Sequence, residues 1–279
     1  MKVITISTSG EGKIKRLLQS AASFNITIEI IGDKKRYESH NDKTLILLDF
    51  LGTQNPDEAI LYIDGYDCIF LRGLDYIKAE YEKFDHPFVM STEQNFNCDF
   101  PLRQKLKFYS KLRNAPGPYK FLNAGCWIGK AGYVKNILQQ IGNGVEDQTM
   151  LNKYLSNNRN KIALDHDHSI FTCTGGRAGL EERDYSNIDN LLRNNIKMTF
   201  PAVFHAPGRN FPGLNKLLSM LKLKYERQTE TKEMQKSYAY SKWMNHLNAI
   251  ILPDNFLFHL ILKTGVLILT LIVLIVILY

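Results

Sequence analysis

Asp64 and Asp67, Glu146 and Asp147, and His205 are the side chains of this sequence whose types and settings could do chemistry together. The first pair closes the apolar run Ala59-Ile60-Leu61-Tyr62-Ile63. In an extended strand, residues three apart point to opposite faces, so these two carboxylates converge only where the chain turns. Gly65 permits a sharp turn. Convergent carboxylates offer the hard oxygen ligands that Mg²⁺ and Mn²⁺ take. Glu146 and Asp147 open a helical segment, where acids also serve to cap the helix and complement its dipole. His205 leaves the short run Pro201-Ala202-Val203-Phe204 for a Pro207-Gly208 turn. Each has a structural explanation by itself: a solvated turn, a helix cap, a core histidine. Gathered at the carboxyl edge of one sheet, two carboxylates and an imidazole would make a metal-dependent site.

The elements that must gather them alternate strand and helix, which predicts an α/β domain with a largely parallel sheet. Val3 to Thr8 reads as a strand, after which Ile14, Leu17, Leu18 and Ala21 recur at helical spacing toward Phe24. Ile26 to Ile31 is a second strand, Lys43 to Leu51 a helix, and Ala59 to Ile63 the strand that delivers Asp64. Further strands are expected over Phe88 to Thr92 and Leu122 to Gly129, and helices over Tyr133 to Ile141 and from Glu146 through Leu155. Gly10 and Gly12 bracket a turn, but Gly10-Glu11-Gly12-Lys13-Ile14-Lys15 lacks the third glycine of a dinucleotide fingerprint, so a Rossmann dehydrogenase is unsupported. Leu122-Asn123-Ala124-Gly125-Cys126-Trp127-Ile128-Gly129 sets small residues beside bulky ones, a pattern suited to backbone packing against a ligand or a second strand. Asp165-His166-Asp167-His168 has metal-ligand types, yet strand alternation splits its acids from its histidines, and it reads as a loop or strand end.

A chain of 279 residues with 44% hydrophobic content can bury a sizeable core, which argues against disorder. The formal charge of +7 is spread along the chain and thickens only between Lys216 and Lys242, so no nucleic-acid partner is expected. Cys68, Cys98, Cys126 and Cys173 form no C-x-x-C pair, and reduced, buried thiols are expected.

The first residues read directly as a strand, too short in apolar content for a signal peptide. Phe256 to Tyr279 is broken only by His259 and Lys263 and is apolar all round beyond Thr264. Such a stretch can span a bilayer core of about 30 Å. The expected organisation is a catalytic domain over 1–212, a basic amphipathic helical linker over 213–255, and a C-terminal transmembrane anchor over 256–279. The linker could lie at the membrane surface or pack on the catalytic domain. The expected topology is single-pass and C-terminally anchored, with the catalytic domain in the cytoplasm.

In this setting the chain resembles the glycosyltransferase domain of the lysyl hydroxylase and procollagen glycosyltransferase family. Ile63-Asp64-Gly65-Tyr66-Asp67 is similar to the family's metal-binding D-x-x-D element, and Phe121-Leu122-Asn123-Ala124-Gly125 to its F-L-N-S-G element. Asp147-Gln148 falls on its aspartate run followed by glutamine, and His205 with Gly208 on its H-x-x-G element. The resemblance covers about Met1 to Asn210 and includes no hydroxylase domain. Two departures stand out. The aspartate run is here Gly144-Val145-Glu146-Asp147, and Pro207 replaces an asparagine.

The resemblance implies a GT-A fold, Mn²⁺, and retaining transfer of glucose from UDP-glucose to galactosyl-hydroxylysine of a collagen-like acceptor. It implies Asp64, Asp67 and His205 as metal ligands. Ile6, Thr8, Tyr37, Lys43, Asp64, Asn123 and Gly208 would meet the UDP-sugar, with Tyr37 placed on uracil only by approximate position. Lys43 would add a point charge there, although by its own residue context it reads first as a solvated helix lysine. Asp147, with Glu146, would lie near the anomeric carbon as base, nucleophile or electrostatic partner. Two alternatives stand beside this reading: transfer of galactose or of another sugar, and an inactive GT-A module tethered to a membrane as a binding protein. Homo-oligomer formation is left open.

Overall fold

A computed structural model describes residues 1–8, 14–33, 40–99, 101–115, 117–142, 146–174, 184–208, 211–227, 229–236, 239–240, 261, 264–265, 268 and 272. Tyr37 and the Gly10 to Gly12 turn lie outside the described residues, as do residues 241–255 and nearly all of the apolar stretch 256–279. Among the described residues no helix is long and apolar enough to cross a membrane.

The chain runs β1 (Lys2–Ile6), α1 (Lys15–Ala22), β2 (Ile28–Ile31), α2 (His40–Gly52), β3 (Ala59–Ile63), β4 (Cys68–Phe70), α3 (Leu74–Glu82) and β5 (Phe88–Glu93). It continues through α4 (Leu102–Leu112), β6 (Phe121–Lys130), α5 (Ala131–Ile141), α6 (Asp147–Asn157), β7 (Ala163–Leu164) and β8 (Phe171–Cys173). The hairpin β9 (Tyr185–Ile188) and β10 (Leu191–Asn194), the short strand β11 (Val203–His205) and helix α7 (Phe211–Met220) follow.

The main sheet has six strands in the order β2-β1-β3-β6-β5-β7. The pairs β1/β2, β1/β3 and β5/β7 are parallel, while β6 runs antiparallel to both β3 and β5. The α/β class and the largely parallel sheet are therefore as the strand-helix alternation requires. Strand periodicity divides the apolar residues between two faces. Ile4, Ile6, Ile60 and Tyr62 join a core with Leu47 and Leu51 of α2 and Val134, Ile137 and Leu138 of α5. Their neighbours Val3, Leu61 and Ile63 face a second core with Leu17 and Ala21 of α1. Covered on both faces, the central strands are apolar in nearly every position, as buried parallel strands are.

A second sheet of three strands, ordered β4-β11-β8, was not foreseen from the sequence. Each of its strands has only three residues, too few for a periodic signal. His205 therefore ends a strand of this small sheet, and the expectation that one sheet edge delivers every site residue is corrected. The small sheet shares the second core through Cys68, Phe70, Phe171 and Val203. Helix α7 spans residue 212 and buries Leu214, Leu217 and Leu218 against Ile69 and Phe204.

Candidate active site

The Asp64 to Asp67 turn is the link between the two sheets. Asp64 follows β3, and Asp67 immediately precedes β4. The start of the turn is held by the Asp64 N–H, which donates to the Gly125 carbonyl at 2.8 Å, and by the Thr5 hydroxyl, which donates to the Ile63 carbonyl at 2.7 Å. Gly65 is required for space, since a Cβ there would stand 2.6 Å from Cγ2 of Ile14. Arg16 donates from Nη2 to the Tyr66 carbonyl at 2.6 Å, and the Ala206 N–H donates to the Asp67 carbonyl at 2.9 Å.

That last bond ties the turn to the end of β11. Cys68 pairs with His205 in the antiparallel β4/β11 register, which brings the imidazole beside Asp67. His205 Nε2 lies 3.4 Å from Asp67 Oδ1 and 3.9 Å from Asp64 Oδ2. The ring is buried, while the Asp64 side chain keeps 30% exposure and marks the open side. Burial disfavours charge on His205, but the Asp67 carboxylate outweighs it and holds the imidazole well above its ordinary pKa. The pocket for the ring depends on Gly125, where a Cβ would meet His205 Cε1 at 2.1 Å.

One ligand atom from each of Asp64, Asp67 and His205 lies within 4.8 Å of the others. Two carboxylate oxygens and an imidazole nitrogen at this spacing fit a Mg²⁺- or Mn²⁺-type ion.

Lys43 carries the site inward. Its Nζ reaches from α2 to Asp64 Oδ1 at 3.2 Å and to Asp147 Oδ2 at 2.9 Å, and donates to the Ala124 carbonyl at 3.2 Å. Burial opposes its charge, yet Asp147 and Asp64 together keep the ammonium well above the usual lysine range. The reading of Lys43 as a solvated helix lysine is thus overturned, because it is 6% exposed and doubly paired. Tyr62, stacked on Trp127, donates its hydroxyl to the same Asp64 oxygen. Asp64 Oδ1 is therefore engaged by Lys43 and Tyr62, and Oδ2 is the oxygen turned toward His205.

Behind Asp147 lies a buried polar network. Gln148 donates from Nε2 to Glu93 Oε1 at 2.8 Å and accepts the Ala124 N–H at 3.2 Å. Asn123 donates from Nδ2 to the same Glu93 oxygen at 3.1 Å, and its Oδ1 accepts the Gly125 N–H at 2.9 Å. Asn97 donates to the other Glu93 oxygen. Burial raises the Glu93 carboxyl to about 7, and the bonds from Asn123 and Gln148 hold it from rising further. The β5/β6 register shifts between Met90 and Ser91, with the extra residues Ala124 to Cys126 on β6, and this sets Ser91 opposite Asn123, whose carbonyl accepts the Ser91 hydroxyl at 2.9 Å.

Residues 1–231 match the family described as PLOD GT domain. The chain belongs to that family. It is a glycosyltransferase domain with a mixed α/β architecture. Procollagen-lysine,2-oxoglutarate 5-dioxygenase 2 of Mus musculus is 23% identical over 222 residues, covering 74% of this chain and 29% of that protein. Procollagen-lysine,2-oxoglutarate 5-dioxygenase 1 of Gallus gallus is 25% identical over 231 residues, covering 77% and 31%. Multifunctional procollagen lysine hydroxylase and glycosyltransferase LH3 of Rattus norvegicus is 25% identical over 231 residues, covering 77% and 30%. The chain thus spans under a third of the length of these relatives. Among solved structures, the galactosyltransferase LgtC with donor and acceptor sugar analogs is 12% identical with a TM-score of 0.47, covering 85% of this chain and 100% of that one.

In this PLOD GT domain, Asp64, Asp67 and His205 converge, and Lys43 joins them to Asp147. Glu146 is the N-cap residue of α6, and its carboxylate accepts the Thr149 hydroxyl at 3.0 Å. Ile6 ends β1 with its side chain in the core, Thr8 lies two residues beyond, and Gly208 occupies an exposed turn with φ of 70°. Asn123 is buried, and both ends of its amide are engaged within the chain, so it shapes the stretch of β6 around Gly125. Sequence reading passed over Glu93 and Arg16, and named Gln148 and Gly125 only as members of motifs. Glu93, an acid ending an apolar strand as Asp64 does, carried a usable signal. The Asp165 to His168 segment is a tight turn after β7, where the Asp165 carboxylate accepts the N–H groups of Ser169, Ile170 and Phe171.

Proposed function

We propose that this chain is a divalent-cation-dependent, retaining glycosyltransferase that moves glucose from UDP-glucose to galactosyl-hydroxylysine in a collagen-like acceptor. The carrying observation is that one buried lysine, Lys43, contacts both Asp64 of the three-ligand cluster and Asp147 of the adjoining helix.

Asp64, Asp67 and His205 would hold Mn²⁺, which when bound supplies Lewis-acid neutralisation of a diphosphate leaving group. Lys43 fixes Asp64 so that one oxygen is spent internally and the other faces the open side. Through the same ammonium, Asp147 is held close to the cluster, where its carboxylate would stabilise positive charge developing at the anomeric carbon. Gln148 and Asn123, anchored on Glu93, keep β6 and the start of α6 in fixed relation, so the reacting groups need no rearrangement. In the same reading the apolar stretch 256–279 tethers the domain to a membrane, with the catalytic part on its cytoplasmic side. Cell fractions tested for release by alkaline extraction and for protease protection check that assignment.

The deciding experiment incubates the purified full chain and Mn²⁺ with UDP-glucose, UDP-galactose and other UDP-sugars, with and without a galactosyl-hydroxylysine peptide. UDP release and glycopeptide mass are read. Acceptor-dependent release from UDP-glucose alone is expected. Release only from UDP-galactose would move the assignment to a galactosyltransferase. Nucleotide binding without turnover of any UDP-sugar would make the chain a binding module.

A further inference from the structure

His205 belongs to two ligand sets. One is Asp64 and Asp67; the other is Cys68 and Cys126, whose ligand atoms and a ring nitrogen of His205 also lie within 4.8 Å of one another. The two thiols come from different sheets. Cys68 opens β4 directly opposite His205, and Cys126 lies on β6 opposite Ile63. Both are fully buried, and His205 is 3% exposed. The two sulfurs are 3.6 Å apart. A disulfide would require about 2.0 Å. Two thiolates on one tetrahedral ion, with metal–sulfur bonds of about 2.3 Å, stand about 3.8 Å apart. The observed spacing is that of a thiol–thiol hydrogen bond, and it is also close to that of two ligands sharing an ion.

A second observation concerns the imidazole. Nε2 faces the carboxylates, whereas the buried Nδ1 makes no hydrogen bond of ordinary geometry, its ring neighbouring the thiol of Cys173 opposite it in the β8/β11 register. A buried donor or acceptor left unmatched normally has a reason, and an absent ion is one of them. The chemistry of the two sets is opposite in character. Carboxylates select Mg²⁺ and Mn²⁺, whereas two thiolates and an imidazole select Zn²⁺ or Cd²⁺.

We propose that Cys68, Cys126 and His205 form a second cation site, selective for a thiophilic divalent ion, that shares its imidazole with the Asp64–Asp67 site and antagonises the cation held there. Binding forms two metal–sulfur bonds, and each thiol releases its proton to solvent. No oxidant is involved. A second dication within a few ångströms of the first repels it, whether the ring is withdrawn or bridges the two. The antagonism rests on the reading of the carboxylate site given above; the thiol site itself does not.

The probe is Cd²⁺ added to the full, reduced chain, read by the ultraviolet thiolate-to-cadmium charge-transfer band, which needs neither Mn²⁺ nor sugar nucleotide. One equivalent should saturate the band, and Cys68→Ala and Cys126→Ala should each diminish it, while Cys98→Ala should leave it intact. Absence of the band in the native chain, or an undiminished band in the Cys68→Ala, Cys126→Ala double variant, overturns the site. Because the thiols are buried, Co²⁺ spectra of the native chain provide a reading free of substitutions: intense d–d absorption of a tetrahedral thiolate site is expected, and weak octahedral absorption overturns it. Mn²⁺ binding is then followed by electron paramagnetic resonance. Zn²⁺ should weaken it by about tenfold or more in the native chain and not in the double variant; unchanged Mn²⁺ affinity beside a saturated Cd²⁺ band overturns the sharing of His205.

Discussion

A Cβ on Gly125 would stand 2.1 Å from Cε1 of His205, so the imidazole occupies the volume that any side chain at position 125 would claim. The same glycine accepts the Asp64 N–H on its carbonyl and donates its own N–H to Asn123. One backbone position thus sets both an acid and the histidine of the candidate site. Gly125→Ala should displace the ring by about the size of a methyl group and reduce UDP release by roughly 10²-fold, with about 1–3 kcal/mol lost in stability. Initial rates and denaturant unfolding measure the two effects. Native-like rates would show that the ring position is immaterial.

Lys43→Met would leave Asp64 and Asp147 facing one another without a counter-charge. Breaking a buried ion pair costs about 3–5 kcal/mol. The Asp64 side chain is 30% exposed and water relieves part of its share, so Asp147, at 9%, carries most of the loss. An outcome near 3 kcal/mol is expected from urea unfolding. Full stability in the variant would mean that Lys43 is not charged in the folded protein.

Mn²⁺ should raise the melting temperature of the native chain, because an ion bound only by the folded state stabilises it by about 2.7 kcal/mol at a hundredfold excess over Kd. Asp64→Asn, Asp67→Asn and His205→Ala should each abolish that shift, and a chelator should reverse it. A shift of native size in His205→Ala would remove the imidazole from the ligand set.

Glu93 supplies a pH signature. Its carboxyl, raised by burial, titrates near pH 7 in the folded chain against an ordinary value of 4.5. Across that window the folded state holds a proton that the unfolded state has lost, so this group's contribution to stability falls as pH rises from about 4.5 to 7. Asp165, raised to about 6 by burial, acts in the same direction. His168, lowered to about 3 by burial, acts oppositely below its ordinary 6.5. The test is therefore a difference between two curves: Glu93→Gln should become progressively more stable relative to the native chain as pH rises from 5 to 7.5, by a few kcal/mol at most. Parallel curves would show that Glu93 is ionised throughout.

Much of the site was legible in the sequence, for definite reasons. Asp64 could be located because β3 is a continuous apolar run broken by Asp-Gly, and Asp147 because a helix start follows a glycine-containing segment. Period and composition are local properties, and they named the elements on which the acids sit. They could not reveal β4, whose three residues show no period, nor that β4 and β11 pair in a second sheet. Lys43 looked like any helix lysine, because burial is decided by what packs over the helix and not by neighbours along it. The same holds for Cys68 and Cys126, which are 58 residues apart in the chain and 3.6 Å apart in space.

From the sequence by itself came the α/β class, the acids, the histidine and the glycines that could set them. Only the tertiary structure decided which oxygen of Asp64 is spent on Lys43 and Tyr62, which nitrogen of His205 meets Asp67, and that two thiols come within ligand reach of the ring. The reason is physical: donor types are written residue by residue, whereas the distances between them arise from strand register and from the packing of one sheet against another.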